Sequence, residues 1–393
     1  MIARGAGRGG VCRVCGGRLK RNGSTSAGRT RWRCTVCGAS STRSRQDVTR
    51  RAQFNAYLRW LLGPLPQHLA SGASARSFRR DTAWCWSVQP FLPPTGEVHH
   101  EVQVDGLYLS SKWCCLVAST RGKAIAWQWC DQEKTAAWQA LMQQVPAPTV
   151  AVCDGGSGLL SAIELAWPEA KVQRCLVHVQ RNVRTHLTTR PKTEAGKALW
   201  ALARSLTGIS TADEAVDWLG HLHQWHALHG HLTRERTYRD QQRHGQAPPS
   251  WTRPGQQWWY THDRLRRAYR LLAKLAQRGH LFAYLDPAHD GLDISSTTNQ
   301  AEGAINAGLR ELLRRHRGMP EHHQRRAIEW WLTVHSLDPP DPTSFIKPEH
   351  YQPPPAKTPS NAATNETLGP AAYDTGLTPE EGMWHRRGWA GRS

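Results

Sequence analysis

Two short apolar runs in this chain each end on an aspartate followed by glycine, and that recurrence limits what the chain can fold into. Thr149–Cys153 has the length and apolar content of a buried strand; Asp154 closes it, and Gly155, Gly156 and Gly158 follow as a turn. Glu101–Gly106, EVQVDG, alternates like a strand and also ends in Asp-Gly, at Asp105. A single such aspartate is most simply turn chemistry. Two of them point to strands of one sheet that present their carboxylates at one edge, where a metal or a substrate can be held. Glu302, in SSTTNQAEGAINAGLRELLRRHRG, is the candidate third acid. There Ala301, Ile305, Leu309 and Leu312 make an apolar helical face, leaving Glu302, Asn306 and Arg310 on other faces. Thr297, Thr298 and Asn299 are candidate caps.

The surrounding pattern is mixed. Cys114–Ser119, Ala124–Cys130 and Lys171–Cys175 read as further strands, and Thr135–Gln144, Leu159–Ala166 and Leu176–Leu187 as helices. Cys175 and His178 stand three apart, before Arg181 and Asn182; two ligands alone do not hold zinc. From Leu187 to Asp290 the apolar spacing is helical: Ala198–Leu206, Ala212–His229, Trp258–Gln277 and Leu281–Leu285, with a polar break at Gln241–Pro254. This segment is too long for a loop. The tandem Trp258-Trp259 reads as core, with stacking on an unpaired base as the other use.

The amino-terminal region carries its own signal. Cys12-Arg-Val-Cys15 and Cys34-Thr-Val-Cys37 bracket a Gly- and Arg-rich loop, and a glycine follows each pair. Four thiolates in two such knuckles suit a tetrahedral structural zinc site, as in zinc ribbons. Arg13, Arg18, Lys20, Arg21, Arg29, Arg31 and Arg33 make the loop a candidate phosphate contact. Beyond it, Ala52–Leu62 and Leu65–Leu69 read as helices, as do Gly72–Arg80 and Asp81–Gln89. Short helices around a glycine turn fit a helix-turn-helix, with Ser77, Arg79 and Arg80 outward and Trp84 and Trp86 inward, or equally a plain helical linker; Arg76, Arg79 and Arg80 are candidate DNA contacts. Pro90, Pro93 and Pro94 mark a boundary.

Lys and Arg number 51 against 31 acids in 393 residues, a formal charge of +20, which favours a polyanion and above all nucleic acid. The chain has no apolar run of about 18 residues and no leader, so no membrane role is expected. The ten cysteines fit a reducing cytosol, with a metal site and buried thiols, rather than a disulfide framework.

Taken together, Asp105 in VDG, Asp154 in CDGG, Cys175-Leu-Val-His178 with Arg181-Asn182, and Thr298-Asn299-Gln-Ala-Glu302 resemble the Mutator-type transposases of bacterial insertion sequences. The resemblance runs from about Val98 to His335 and is specific as a set. It implies an α/β fold: a ribonuclease H-like mixed sheet with an all-helical insertion, Asp105 and Asp154 side by side at the sheet's centre, and a catalytic DDE triad of Asp105, Asp154 and Glu302 holding two Mg²⁺. Cys175, His178, Arg181 and Asn299 take supporting roles. The expected division is a ribbon at 1–42, a helix-turn-helix at 43–94, core at 95–186, insertion at 187–290 and core again at 291–337. A disordered Pro-rich tail is expected at 338–393. The implied partners are double-stranded DNA, as terminal inverted repeats and as target, and a second copy or larger assembly; the implied location is the bacterial cytoplasm, at the nucleoid. The competing reading is a DNA-binding regulator with an inactive core.

Overall fold

The computed structural model describes residues 12, 15, 17–26, 30–41, 46–109, 113–241 and 248–351. They belong to two compact units: the described residues up to Phe91 with Leu312–Val334 and 340–351, and Leu92–Glu311 with His335–Pro339. Within the segment 291–337, residues 312–334 belong to the first unit. Residues 352–393 of the expected tail lie outside the described residues, as do Arg13 and Arg29. The tail's first part is not structureless: Pro342–Phe345 forms a 3₁₀ turn and buries Phe345.

The first unit opens with three short antiparallel strands, β1 (Leu19–Ser24), β2 (Thr30–Cys34) and β3 (Ser40–Ser41). Helices α1 (Gln46–Leu62), α2 (Gln67–Ser71) and α3 (Ala75–Thr82) follow. Gly72 ends α2 in the left-handed conformation, φ 70°, which a side chain would strain. Ser74 caps α3, its side chain accepting from the Ser77 N–H. The helix expected over Asp81–Gln89 is instead the end of α3 and a 3₁₀ turn, Ala83–Ser87. Aromatic rings fill the core: Phe54, Tyr57, Trp60, Phe78, Trp84, Trp86, Trp330 and Phe345 meet edge-on, tilted or stacked at ring-centroid distances of 4.9–6.2 Å. Four of the chain's 19 tryptophans are in this cluster.

The second unit is built on a five-stranded sheet. Its strands are β4 (Glu101–Tyr108), β5 (Cys114–Thr120), β6 (Lys123–Cys130), β7 (Val150–Cys153) and β8 (Lys171–Arg174). Their order is β6-β5-β4-β7-β8, antiparallel on the β5 and β6 side and parallel from β4 through β8. Side chains alternate along the strands. Val102, Val104, Ala151 and Cys153 face α4 (Thr135–Met142) and α5 (Ser157–Ala166), which contribute Trp138, Leu141, Leu159 and Ile163. Val150 and Val152 face the other way, onto Ala283 and Ile294.

After β8 comes α6 (Leu176–Leu187), then α7 (Glu194–Ser205) and α8 (Ala212–His229), the latter opened by a Thr211–Glu214 capping box. The insertion is not all helical. It contains a two-stranded sheet, β9 (Arg236–Tyr238) with β10 (Trp258–Tyr260), before α9 (Asp263–Gln277). The helix expected over Trp258–Gln277 therefore starts five residues late, and Trp258 and Trp259 point to opposite faces of a strand, only Trp259 being buried. The insertion packs onto α6, with Leu199, Trp218, Trp225 and Leu272 meeting Val179 and Val183 of that helix in one core. Trp218 and Trp225 donate their indole N–H to the carbonyls of Leu202 and Ala195. A π-helical segment, Ala301–Asn306, leads into α10 (Ala307–Arg315), and α11 (Glu321–Val334) follows. No helix among the described residues is long and apolar enough to cross a membrane.

Candidate active site

Strands β4 and β7 lie side by side and parallel, with Val104 opposite Cys153. The next residue on each is Asp105 and Asp154, so the sheet register itself brings the two aspartates together. Gly155 is needed beside Asp154 for two reasons. Its φ is 82°, and a Cβ there would overlap the Arg174 guanidinium. Arg174, 5% exposed, donates from Nη2 to the Asp154 carbonyl and fixes the turn. The Asp154 carboxylate in turn accepts from the Gly156 N–H at 3.0 Å.

Glu302 enters on the π-helical segment, a form found often at functional sites. Thr298 holds it, the hydroxyl donating to Glu302 Oε1 at 3.0 Å. His178 Nδ1 stands 3.6 Å and Arg181 Nη1 3.9 Å from its oxygens. Four residues on, Asn306 donates from Nδ2 to Asp105 Oδ2 at 2.6 Å, and the Gly106 N–H donates to Asp105 Oδ1 at 2.9 Å. Asn299, expected in a supporting role, is exposed, and its backbone N–H turns to Thr297.

The electrostatics bind these residues into one group. Burial first, then Asp154 and Glu302, pushes the Asp105 carboxyl up to about 6. Glu133, just before α4, is pushed up to about 8 by burial and by the charges of Asp154 and Asp105. It is a fourth carboxyl at this place, and the sequence reading passed over it. A Cβ on Gly106 would meet its Oε1. Mutually repelling, partly desolvated carboxylates are a fit for hard divalent cations such as Mg²⁺. Among the described residues Asp105, Asp154 and Glu302 do not together make a group of ligand atoms within 4.8 Å of one another.

Two such groups exist among the described residues: Cys12, Cys15, Cys34 and Cys37; and Cys175, His178 and Glu302. In the first, Sγ atoms of Cys12 and Cys37 are 3.6 Å apart, and those of Cys15 and Cys34 3.4 Å. Tetrahedral zinc with sulfur at about 2.3 Å would separate them by about 3.8 Å, so the cluster needs little adjustment to take a zinc ion. Backbone N–H groups of Cys37 and Val36 pull the Cys34 thiol down to about 6, against its burial. In the second group, contact with Cys175 raises the His178 imidazole against the effect of burial, and Asp154 and Glu302 add to it. All ten cysteines are free.

Arg31, Arg33, Arg76, Arg79 and Arg80, expected to face DNA, are exposed; Arg80 is paired with Asp81 at 3.0 Å.

Residues 118–230 match the family Transposase, Mutator family. This supports a Mutator-type transposase, the family that the motifs resemble. The matched stretch carries Glu133, Asp154, Cys175, His178 and Arg181; Asp105 and Glu302 lie outside it. No curated protein matches the chain.

Proposed function

We propose that the chain is a DDE-type DNA transposase that cuts insertion-sequence ends and joins them to target DNA. The observation that carries this is the pairing of Asp105 and Asp154 on adjacent parallel strands, with Glu302 close enough to raise the Asp105 carboxyl. The ribonuclease H-like reading of the core rests on that mixed sheet with Asp105 on β4 and Asp154 directly after β7. The match over residues 118–230 supports the transposase class.

Asp105, Asp154 and Glu302 would hold two Mg²⁺. Bound there, such ions lower the pKa of an attacking water or 3′-hydroxyl and stabilise the leaving oxygen. Asn306 and the Gly106 N–H fix the Asp105 carboxylate, Thr298 fixes that of Glu302, and Arg174 locks the turn behind Asp154. Arg181, half exposed beside Glu302, offers a guanidinium to the scissile phosphate. Water first displaces a strand oxygen from phosphorus and frees a 3′-hydroxyl at the element end. That hydroxyl then attacks a target phosphodiester and displaces the target's 3′-oxygen, so one bond forms for each one broken. The ribbon, carrying structural Zn²⁺, and helices α1 to α3 with Arg76, Arg79 and Arg80 supply contacts to the terminal repeats. Joining two ends calls for two or more copies. The regulator reading draws on the same DNA-binding residues but requires no cutting.

The test is Mg²⁺-dependent nicking and strand transfer on DNA carrying the inverted repeats that flank the gene. Asp105→Asn, Asp154→Asn and Glu302→Gln should each lose both reactions while keeping DNA binding. Cleavage that survives in all three rejects the triad. A wild-type chain that binds repeats and never cuts them favours the regulator.

A further inference from the structure

A cysteine and a histidine three apart are an incomplete ligand set, and the fold supplies what is lacking. Cys175 begins α6 and His178 lies one turn into it, while Glu302 arrives from a segment more than a hundred residues later. Their ligand atoms lie within 4.8 Å of one another, and His178 Nδ1 is 3.6 Å from Glu302 Oε1. Zinc ligands at about 2.0–2.3 Å from the ion stand about 3.3–3.8 Å apart, so the spacing is that of a site one small shift from closed.

Three further features point to a ligand. His178 Nδ1 is buried and makes no hydrogen bond, although it faces the thiol and the carboxylate. Thr298, itself 1% exposed, serves both other ligands: its N–H donates to Cys175 Sγ at 3.3 Å and its hydroxyl to Glu302 Oε1. Such outer bonds to thiolate and carboxylate are how protein metal sites orient their ligands. The outer nitrogen, His178 Nε2, stands 3.4 Å from Arg181 Nη1. When Nδ1 takes a metal, Nε2 carries the proton, and Arg181, which is half exposed, swings away.

We infer that Cys175, His178 and Glu302 form a second soft-metal site, for a Zn²⁺-class ion, with one position open. A thiolate and an imidazole select zinc over magnesium, and three protein ligands leave a vacancy for water or a substrate oxygen. The consequence rests on the proposed function. A Glu302 carboxylate turned onto this ion is drawn away from the Asp105–Asp154 side, so zinc here competes with Mg²⁺ for the third acid. The site therefore makes the enzyme zinc-inhibited.

Metal content of the purified full chain, measured by mass spectrometry after dialysis in zinc, tests the site. The wild type should hold two zinc ions per chain. Cys34→Ser, which breaks the amino-terminal cluster, should hold one, and so should Cys175→Ser and His178→Ala. Cobalt loaded into Cys34→Ser should give a thiolate-to-cobalt absorption band that disappears when Cys175→Ser is added. Far-ultraviolet circular dichroism checks each fold, and His178→Gln and Glu302→Gln stand in for any variant that unfolds. A wild type with one zinc, lost in Cys34→Ser and unaffected at residues 175, 178 and 302, overturns the inference. A chain that cuts DNA with Mg²⁺ yet holds only the amino-terminal zinc rejects this site alone. A chain that binds both ions but never cuts rejects the proposed function alone.

Discussion

Asp105→Asn should stabilise the chain at pH 8 when no Mg²⁺ or Mn²⁺ is present. The Asp105 carboxyl rises from its ordinary 3.8 to about 6, through burial and then the charge of Asp154. In the interval between those values the native state holds a proton that the unfolded chain has lost. Stability therefore falls as pH climbs through that interval and stays lower above it. Two units correspond to about 3 kcal/mol, which is a ceiling for a group in contact with solvent. Asparagine has the same shape and no charge. It cannot accept from both the Gly106 N–H and Asn306 Nδ2, as Asp105 does, and that loss costs about 1 kcal/mol. The net gain is about 2 kcal/mol, or about 4–8 °C in Tm for a unit of this size. Thermal melts of wild type and variant at pH 4.5 and pH 8, with one equivalent of zinc for the four amino-terminal cysteines and no more, provide the assay. The gain should appear at pH 8 and vanish or reverse at pH 4.5, and added Mg²⁺ should raise the wild-type melt but not the variant's. A variant that is destabilised equally at both pH values refutes the account of Asp105 as a repelled, desolvated carboxylate.

Gly155→Ala should cost more than about 2 kcal/mol in chemical denaturation, because its φ is 82° and its Cβ would fall on the Arg174 guanidinium; a loss below 0.5 kcal/mol, a surface-substitution value, contradicts the turn geometry. Trp330→Ala should cost about 3–5 kcal/mol, since the ring is fully buried against Phe54 and Phe345; a neutral result removes it from the core. Arg79→Ala and Arg76→Ala should weaken DNA binding across all sequences and flatten its salt dependence by about one unit each. An unchanged slope in fluorescence anisotropy shows that α3 does not lie on the phosphates.

The strands of the sheet were legible because each is a short apolar or alternating run bounded by glycine or polar residues, and β4, β7 and α6 fall where the periodicity puts them. Trp258-Trp259-Tyr260 was misread because an apolar run that flows into a helix gives no period of its own. What makes it a strand is its pairing with Arg236–Tyr238, about twenty residues earlier. Glu133 was missed because DQEK looks like a solvated loop; only the fold places it against Gly106 and the two aspartates. The Cys175 and His178 pair was visible as a spacing, but its third ligand was not, since a local motif says nothing about which distant acid will face it.

The Gly-Gly turn after Asp154 shows the same limit from the other side. It read as turn chemistry, and the left-handed Gly155 agrees. The turn alone does not explain why no side chain is tolerated. Arg174 does: its guanidinium occupies the volume of a Cβ, its Nη2 holds the Asp154 carbonyl, and its Nε is buried with no partner. An arginine left so incompletely bonded is costly to bury. What the structure shows it bonding is the backbone carbonyl of Asp154. The glycine, the arginine and the aspartate thus form one unit, in which the glycine makes room for the cation that holds the acid's backbone in place.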